Sequence, residues 1–428
     1  MPFIADLHIH SHYSVATSKT MNPENLHRWA QLKGITVLGT GDCTHPGWLA
    51  ELQEKLEPAE PGLYQLKEHL AAAVDEGVPR RCRAPVRFLL STEISNIYKK
   101  NGRTRKLHNL VFLPDMGAAG RLQASLARIG NIRSDGRPIL GLDSKELLKI
   151  AKETTDEAVL VPAHAWTPHF SVLGARSGFD SLEECFEELT PLVPAIETGL
   201  SSDPPMNWRL SALDRLRLIS NSDAHSPAKL MREANLFETQ LSYRAIMGAI
   251  IELESPAFLG TVEFFPQEGK YHYDGHRTCG TCLSPQETEK NGSRCPRCNR
   301  KVTMGVMHRV EDLADRPPRA RPVHARPYQS LIPLIELIAE VVQAGVNTRR
   351  VADAYLDLLS REGNEYHLLV EADPHRIHHA SSALLAEAIR RMRAGQVSIS
   401  PGYDGEYGTI RVFGRRERCR LCGQLGLF

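Results

Sequence analysis

The sequence has no long hydrophobic run and almost no net charge. No apolar stretch approaches the roughly 18 residues of a membrane-spanning helix, and the first residues lack the charged and apolar segments of an export signal. With 52 Lys and Arg against 51 Asp and Glu, the net charge of +1 argues against a protein that coats nucleic acid with its whole surface. We find no internal repeat. We therefore expect a soluble, cytoplasmic and nucleoid-associated protein whose polyanion site, if any, is a local patch.

The length and the cysteines suggest several domains and bound metal. A chain of 428 residues exceeds what one hydrophobic core usually serves, so we expect two or more domains. Six of the nine cysteines form three Cys-x-x-Cys pairs, which in a cytoplasmic chain indicates metal binding rather than disulfides. Cys43, Cys82 and Cys185 are isolated, and we interpret them as small buried hydrophobic residues.

A histidine-rich stretch opens the chain, with the sequence Asp-Leu-His-Ile-His-Ser-His at 6–12. Side chains alternate faces in an extended strand, so His8, His10 and His12 would share one face. Neutral imidazole is a common ligand for zinc and similar divalent ions. The alternative is a strand with histidines on its surface, and the rest of the chain has to decide between the two.

Strands and helices then alternate for about 230 residues, the length of a (β/α) barrel. Residues 22–33 predict a helix with Asn22 as N-cap, Pro23 in the first turn and Gly34 at the end. Residues 35–40 predict a buried parallel strand, which completes a βαβ unit. Further strands are predicted at 86–90, 107–113, 158–162, 195–197 and 218–220.

Metal-ligand residue types recur near the ends of these strands, where a barrel would bring them together. Each has an ordinary alternative: His108 as a core histidine, Glu93 as a helix cap and Asp223 in a turn. As a set they suit zinc or manganese, and they exceed the needs of one ion, so we expect two or three ions with Glu93 as a bridge. The set consists of His8, His10, Glu93, His108, His164, Asp223 and His225.

Five motifs resemble the PHP phosphoesterase family. They are Asp-Leu-His-Ile-His-Ser at 6–11, Gly-Asp-Cys-Thr-His at 41–45, Ser-Thr-Glu-Ile at 91–94, Pro-Ala-His-Ala at 162–165 and Ser-Asp-Ala-His at 222–225. The resemblance implies a distorted (β/α)7 barrel in an α/β fold, a site with three ions and hydrolysis of phosphoesters, for which the ions activate water. It also implies Asp223, His225 and Glu93 as catalytic residues.

The resemblance further implies how the ions are shared. One ion would bind His8, His10, Glu93 and Asp223, and a second Glu93, His108 and His164. A third would bind His225 with Asp42 or His45, although the second motif departs from the family pattern by two residues between its Asp and His. His12, His27 and His169 are expected to be bystanders.

A second metal site is predicted beyond residue 265. Cys279 and Cys282 are followed, after twelve residues, by Cys295 and Cys298. Two Cys-x-x-Cys pairs at this spacing predict a structural zinc site with four thiolates, which folds a small module and leaves no open position for catalysis. The alternative, a redox pair, calls for one such motif on a thioredoxin-like βαβ unit.

Basic and aromatic residues surround these cysteines. Cations contact phosphates and aromatic rings stack on exposed bases, so the pattern predicts DNA binding; the alternative is a solvated face of the zinc module. The basic, proline-broken stretch 316–327 is predicted to be an extended strap over the same ligand. The predicted DNA-binding residues are Lys270, Tyr271, Tyr273, Arg277, Arg294, Arg297, Arg300 and Lys301.

The remaining chain is predicted to be mostly helical. Apolar residues recur at helical spacing over 331–392, and 397–413 predicts a hairpin or a glycine-rich loop between strands. We therefore divide the chain into a metallophosphoesterase barrel (1–265), a zinc module with a basic linker (266–325), a helical domain with a hairpin (326–415) and a flexible tail (416–428).

The whole combination resembles the endonuclease Q family of DNA repair enzymes, including Gly-Thr-Gly-Asp at 39–42, the cysteine spacing and Pro-Gly-Tyr-Asp-Gly at 401–405. The resemblance implies hydrolysis of the phosphodiester 5′ to a deaminated base (uracil, hypoxanthine or xanthine) or an abasic site, with the lesion extruded into a pocket. The alternatives are a phosphatase for a small phosphomonoester and a non-catalytic DNA-binding scaffold.

The last residues carry two further motifs. Cys419 and Cys422 form a Cys-x-x-Cys pair without a partner pair nearby, which is either half of a site shared with another chain or two inert thiols. The terminal Gln-Leu-Gly-Leu-Phe resembles the peptide that docks bacterial repair proteins on the β sliding clamp, with Gln424, Leu425, Leu427 and Phe428 as contacts.

Overall fold

The computed structural model describes residues 1–414 and Glu417. In this part of the chain the strands are β1 (Phe3–Asp6), β2 (Val37–Gly39), β3 (Leu56–Pro58), β4 (Tyr64–Leu66), β5 (Arg87–Lys100), β6 (Arg103–Leu113), β7 (Ile139–Leu140), β8 (Val159–Pro162), β9 (Ala195–Glu197), β10 (Arg217–Ile219), β11 (Ala234–Phe237), β12 (Phe258–Glu263), β13 (Asp274–His276), β14 (Thr281–Leu283), β15 (Tyr328–Ser330), β16 (Ser398–Ser400) and β17 (Thr409–Arg411).

The α-helices of the same residues are α1 (Pro23–Lys33), α2 (Pro46–Lys55), α3 (Glu68–Asp75), α4 (Met116–Ala127), α5 (Ser144–Thr154), α6 (Leu182–Phe186), α7 (Pro204–Asn207), α8 (Tyr243–Ile251), α9 (Pro285–Lys290), α10 (Val306–Leu313), α11 (Leu334–Val342), α12 (Arg349–Glu362), α13 (Pro374–Ala380) and α14 (Ala383–Arg393). None of them is long and apolar enough to cross a bilayer.

The fold is mixed α/β around an 11-stranded sheet. Its main path runs β15-β12-β11-β1-β2-β5-β4-β3, and β6, β7 and β8 join through β5 and β6. Strands β9 and β10 form a separate parallel pair, and β8 lies against β9. The ladders between the named strands of the described residues trace no closed ring, and the (β/α)7 barrel stays a prediction. β1 pairs with β11, and β5 with β6, in antiparallel fashion, so the sheet is mixed rather than wholly parallel.

The predicted βαβ unit at the start of the chain is confirmed. The Asn22 side chain accepts a hydrogen bond from the backbone of Asn25, and Pro23 lies in the first turn of α1. Gly34 ends α1 in the left-handed conformation at φ 90°, which glycine adopts without the strain of a Cβ. β1 and β2 are parallel neighbours.

Strand β5 is longer than predicted, and this changes the position of Glu93. The strand runs from Arg87 to Lys100 and pairs with β6 through a two-residue turn at Asn101 and Gly102, both with positive φ. Asn-Gly favours this turn because both residues tolerate positive φ. Glu93 consequently lies inside a hairpin strand rather than after the end of a parallel strand.

The sheet separates two apolar layers. In β5, Phe88 and Leu90 pack in one layer and Leu89 in the other, as the alternation of a strand requires. The first layer includes side chains of α1, α4 and α5 and extends to α11 and α14. The second is closed by α8. This packing on both faces fixes the position of the strands that carry or precede the predicted ligands.

The later part of the chain packs on the sheet and on its helices. β15 pairs in parallel with β12, so the segment after the basic strap continues the main sheet. Lys33 Nζ lies 2.6 Å from Glu365 Oε2 in a buried ion pair between α1 and the helical region. β16 and β17 form the predicted hairpin. The predicted domain boundaries remain a prediction.

Candidate metal centre and nucleic-acid interface

The segment after β1 lies beside the segment after β10. Leu7 N donates to Asn221 Oδ1 (2.8 Å), and His10 N donates to the carbonyl of Ala224 (3.0 Å). These bonds hold the first histidines against the loop that carries Asp223. Two parts of the chain more than 200 residues apart in sequence are thereby aligned by their backbones.

His8, His10, Glu93 and Asp223 form a first ligand group. One ligand atom from each lies within 4.8 Å of the others. His10 Nε2 is 3.2 Å from Glu93 Oε2 and 3.1 Å from Asp223 Oδ1. His8 Nε2, His10 Nε2 and Asp223 Oδ1 are buried and have no hydrogen-bond partner among the described residues. Buried polar atoms are normally satisfied, so these three fit a bound cation.

Glu93, His108 and His164 form a second group. Glu93 Oε1 lies 2.8 Å from His108 Nδ1 and 3.1 Å from His164 Nε2. The other carboxylate oxygen of Glu93 belongs to the first group, so this residue connects the two. The structure thus brings together the six residues that we call the metal centre: His8, His10, Glu93, His108, His164 and Asp223.

Burial and opposite charges shift the protonation of these residues. Burial opposes charge on His8, but Glu197 and Glu93 outweigh it and raise its pKa well above the usual value. Burial also opposes charge on Glu93, but His108, Arg137 and His8 hold its pKa well below the usual value. Burial lowers the pKa of His108 to about 4. The carboxylate stays ionised, and His8 must lose a proton to bind a cation, so metal and protons compete.

Glu197, which follows the same strand-end pattern, is a functional candidate that sequence reasoning missed. It is fully buried at the end of β9. Its carboxylate accepts hydrogen bonds from His8 Nδ1 (3.0 Å), the backbone N–H of His164 (2.8 Å) and Asn221 Nδ2 (2.8 Å). The bond to Nδ1 directs His8 Nε2 toward the metal centre, the usual arrangement behind a metal-binding histidine.

Asp42 has the same relation to His10. Its Oδ1 accepts from His10 Nδ1 (3.2 Å), and its Oδ2 accepts from the backbone N–H and hydroxyl of Ser11 and from the hydroxyl of Ser14. Its oxygens are therefore occupied by donors. The structure places Asp42 behind a candidate ligand rather than in a ligand group.

The predicted ligands of the third ion are not brought together. His45 is the N-cap of α2: its Nδ1 accepts from the backbone of Trp48, and its Nε2 donates to the carbonyl of Arg133. The His225 ring lies 4.5 Å from the ring of His10, and its Nδ1 donates to the carbonyl of Asp223. The ring of His225 lies against that of His10, and its Nε2 makes no hydrogen bond to the described residues.

A cavity of about 750 Å³ is connected to the metal centre through residues of its lining, although no residue of the centre lines it. Two of its lining residues bond to candidate ligands: Thr167 Oγ1 lies 3.2 Å from His164 Nδ1, and Arg232 donates to the carbonyl of Asp223. Its lining also includes Lys270 and Tyr271 from the predicted DNA-binding stretch. A drug-sized or nucleotide-sized group fits a cavity of this volume.

The cysteine ribbon (residues 274–304) gathers a ligand set that differs from the prediction. His276, Cys279, Cys295 and Cys298 have ligand atoms within 4.8 Å of one another, and Cys282 is not among them. This group differs from the predicted four cysteines, which stay a prediction.

The register of the β13–β14 hairpin explains the exclusion of Cys282. Thr281 pairs with His276, and its hydroxyl lies 3.4 Å from Cys295 Sγ. Neighbouring side chains on a strand point to opposite faces, so Cys282 leaves from the other face. His276 occupies the fourth place in the group, with its Nδ1 3.7 Å from Cys298 Sγ.

The predicted DNA-binding cations are exposed on and beside this ribbon, whereas Tyr271 and Tyr273 are half-buried. Lys270 Nζ lies over the rings of Tyr271 and Tyr407, at 5.7 and 5.8 Å from their centres. Tyr407 is 74 % exposed, and sequence reasoning missed it. The exposed cations are Lys270, Arg277, Arg294, Arg297, Arg300 and Lys301.

Other predictions have different outcomes. His12 bonds Glu51, His27 lies near Asp75, and neither belongs to a ligand group of the described residues. The strap packs against the region of α7 and β10, where Arg316 pairs with Asp214. Cys419, Cys422 and the clamp-binding residues Gln424, Leu425, Leu427 and Phe428 lie outside the described residues.

Comparisons with curated proteins find relatives in an archaeon and a bacterium. The protein MJ0043 of Methanocaldococcus jannaschii is 34 % identical over 243 residues, which cover 54 % of this chain and 30 % of that protein. The protein YqxK of Bacillus subtilis strain 168 is 29 % identical over 424 residues, 95 % of this chain and 98 % of that protein. A family profile described as the MJ0043 C-terminal domain matches residues 333–396.

Two solved structures match nearly the whole chain. The lesion-specific endonuclease Q of Pyrococcus furiosus has a TM-score of 0.83 and 30 % identity, covering 96 % of both chains. An endonuclease Q in complex with a 27-mer duplex that has an abasic lesion at its active site has a TM-score of 0.81 and 30 % identity, covering 97 % of this chain and 98 % of that one. This chain belongs to the endonuclease Q family.

Proposed function

We propose that this protein is a metal-dependent DNA repair endonuclease that hydrolyses the phosphodiester 5′ to a deaminated base or an abasic site. The observation that carries the proposal is the pair of ligand groups joined through Glu93. It occurs in a chain that matches, over 97 % of its length, an endonuclease Q bound to an abasic duplex. The substrates that we propose are DNA strands with uracil, hypoxanthine, xanthine or an abasic site.

The metal centre would hold two divalent ions, for which zinc, manganese and magnesium are candidates. His8, His10, Glu93 and Asp223 would bind one, and Glu93, His108 and His164 the other. Bound ions of this kind lower the pKa of water and stabilise the charge that develops at phosphorus. The chain itself supplies the fixed geometry, since Glu197 and Asp42 orient the imidazoles of His8 and His10.

We propose that His225 transfers a proton during the reaction. Its Nδ1 faces the carbonyl of Asp223, which only accepts hydrogen bonds, so this nitrogen carries the hydrogen. Burial lowers the pKa of His225, which keeps the ring neutral and leaves Nε2 as an acceptor. The side chain is 34 % exposed and can therefore reach a substrate or a further ion. Asp223 and Glu93 would act beside it by holding the ions.

The cavity next to the metal centre is the proposed place for an extruded lesion. An enzyme that acts beside a single damaged base has to take it out of the stack, which costs least where pairing is already weakened. Thr167 and Arg232 connect the cavity wall to candidate ligands, so a nucleotide held there places its phosphate close to them.

We propose that the cysteine ribbon binds a structural zinc ion and contacts DNA phosphates. His276, Cys279, Cys295 and Cys298 would hold the ion. The exposed cations of the ribbon would contact phosphates along the DNA backbone. The rings of Tyr271 and Tyr407 would offer surfaces on which bases stack. The terminal Gln-Leu-Gly-Leu-Phe is proposed to dock on the β sliding clamp.

One gel assay tests the proposal. Duplexes with uracil, hypoxanthine or an abasic site, labelled at the 5′ end, are incubated with the protein and manganese, with and without chelator. We expect a nick 5′ to the lesion that disappears with chelator and is absent from undamaged duplex. Hydrolysis of p-nitrophenyl phosphate without cleavage of any duplex would favour the phosphomonoesterase instead, and binding without either activity would favour a scaffold.

A further inference from the structure

Arg137 reaches the metal centre from a tightly packed loop between α4 and β7. The backbone N–H of Gly136 donates to the carbonyl of Tyr13 (3.0 Å). A Cβ at Gly136 would lie 2.3 Å from Asp42 Oδ2, so only glycine allows the loop to approach this closely. The carbonyl of Pro138 accepts from the backbone N–H of Ser95 in β5. Arg137 is therefore fixed on both sides.

The guanidinium of Arg137 uses little of its hydrogen-bonding capacity. Its Nη1 donates to Glu93 Oε2 (3.0 Å), and among the described residues this is the hydrogen bond that its side chain makes. A guanidinium has five N–H donors in a planar fork. The side chain is 26 % exposed, so the remaining donors lie at an open edge of the metal centre.

A role limited to balancing the charge of Glu93 does not explain this position. When cations occupy both ligand groups, the charge of Glu93 is already neutralised, and a further fixed cation nearby is repelled. An anion bound at the same place removes the conflict because it interacts favourably with the ions and with the guanidinium. Planar N–H pairs match the oxygens of a phosphate group.

We propose that Arg137 binds a non-bridging oxygen of the phosphodiester that is cut, in addition to its contact with Glu93. The inference deepens and rests on the proposed nuclease function. Arg137 adds donors fixed at the site where negative charge develops, and such donors contribute chiefly to the transition state. The guanidinium keeps its charge throughout, and no proton moves to or from it.

The test compares Arg137→Met with Arg133→Met, a control in the same loop whose side chain is exposed. On an abasic duplex with manganese, we expect Arg137→Met to lower kcat about 100-fold and to change KM less than about threefold. Manganese content, measured by mass spectrometry, should equal that of the wild type. Arg137→Lys should recover part of the rate. Arg133→Met should behave like the wild type.

Two outcomes contradict the proposal. An unchanged kcat in Arg137→Met would exclude a contact with the reacting phosphate. Loss of manganese in proportion to the loss of rate, with recovery in excess manganese, would show that Arg137 only orients Glu93.

A binding measurement keeps the proposal separate from the nuclease function. If the wild type cuts none of the duplexes, calorimetry with inorganic phosphate on the manganese-loaded protein still tests Arg137. We expect Arg137→Met to weaken phosphate binding about fivefold or more, and equal binding by the variant would overturn the proposal.

Discussion

The metal centre and the cysteine ribbon hold their candidate ligands in opposite ways. The metal centre collects six residues from five segments between positions 8 and 223, and many of these side chains are tied by further buried hydrogen bonds. The ribbon collects four ligands within a short stretch, and its own buried apolar cluster consists of Leu283, Cys295 and Val302. The fold of the whole chain positions the ligands of the metal centre, whereas the ribbon depends on its own ligands and bound ion to fold.

This difference predicts different responses to metal loss. Because the metal centre rests on the two apolar layers of the sheet, we expect chelation to stop the chemistry and leave the structure intact. The ribbon has too small a core to be stable alone, so its folding free energy has to come from the ion. Substitutions at the two sites distinguish these behaviours.

The largest effect is expected for Asp223→Asn. The amide is a poorer ligand than the carboxylate, and the first ligand group loses a negative charge, so cleavage of the abasic duplex should fall at least about 1000-fold. DNA binding should persist because it depends on the ribbon and its neighbours. Gel assays and fluorescence anisotropy measure the two properties. Asp353→Asn, at an exposed carboxylate of α12, is the matched control, and retained cleavage in Asp223→Asn would overturn the proposed metal centre.

Cys295→Ser and Cys282→Ser test the ribbon. Cys295 is buried within the ligand group, whereas Cys282 lies outside it. Cys295→Ser should lose zinc, unfold the ribbon and weaken DNA binding about 10-fold or more, while Cys282→Ser should keep zinc and affinity. Zinc content by mass spectrometry and anisotropy check both. Equal zinc loss in the two variants would restore the prediction of four cysteine ligands.

A smaller effect is expected for Glu197→Gln. The amide keeps the shape but interacts less strongly with His8, so the affinity for the ion should fall about 10- to 100-fold. The manganese concentration for half-maximal cleavage should rise, and excess manganese should restore the wild-type rate. A rate that stays low at saturating manganese would show that Glu197 contributes to the chemical step rather than to ligand orientation.

The sequence predicted which residue types meet at the metal centre but not how they are held. Ligands near strand ends and the capped helix α1 follow from local patterns, and α1 formed as predicted. Asn101 and Gly102 are typical of a hairpin turn. The predicted alternation of strands and helices nevertheless placed Glu93 after a parallel strand. No sequence pattern indicated Arg137, because an arginine in a loop is not a metal ligand and its contact with Glu93 depends on tertiary packing.

The candidate ligand group of the ribbon differs from the predicted one because of strand register. Spacing alone cannot tell on which face of β14 a cysteine lies, and the pairing of Thr281 with His276 decides it. The histidine three residues before Cys279 was available in the sequence, but four cysteines already completed a zinc site. Short motifs therefore predict that a metal binds more reliably than they predict which residues bind it.

The smallest effect concerns two buried carboxyl groups, Glu233 just before β11 and Glu263 at the end of β12. Burial first, and nearby acidic groups second, raise the pKa of both; that of Glu263 rises to about 8. Thr198 and Ser220 donate hydrogen bonds to Glu263, which favours its ionised form but does not outweigh burial. The folded protein thus retains a proton that the unfolded chain releases near pH 4.5.

A raised pKa gives stability that is complete below the unfolded value and is lost as the pH rises toward the folded value. The wild type should therefore lose stability between about pH 4.5 and pH 8 through Glu263. Glu263→Gln cannot titrate, so its unfolding free energy relative to the wild type should increase by about 1 kcal/mol or more from pH 5.5 to pH 8. Denaturant titrations at both pH values measure this difference. A constant difference would mean that Glu263 is ionised in the folded protein. Water would then have to reach this carboxylate despite its burial.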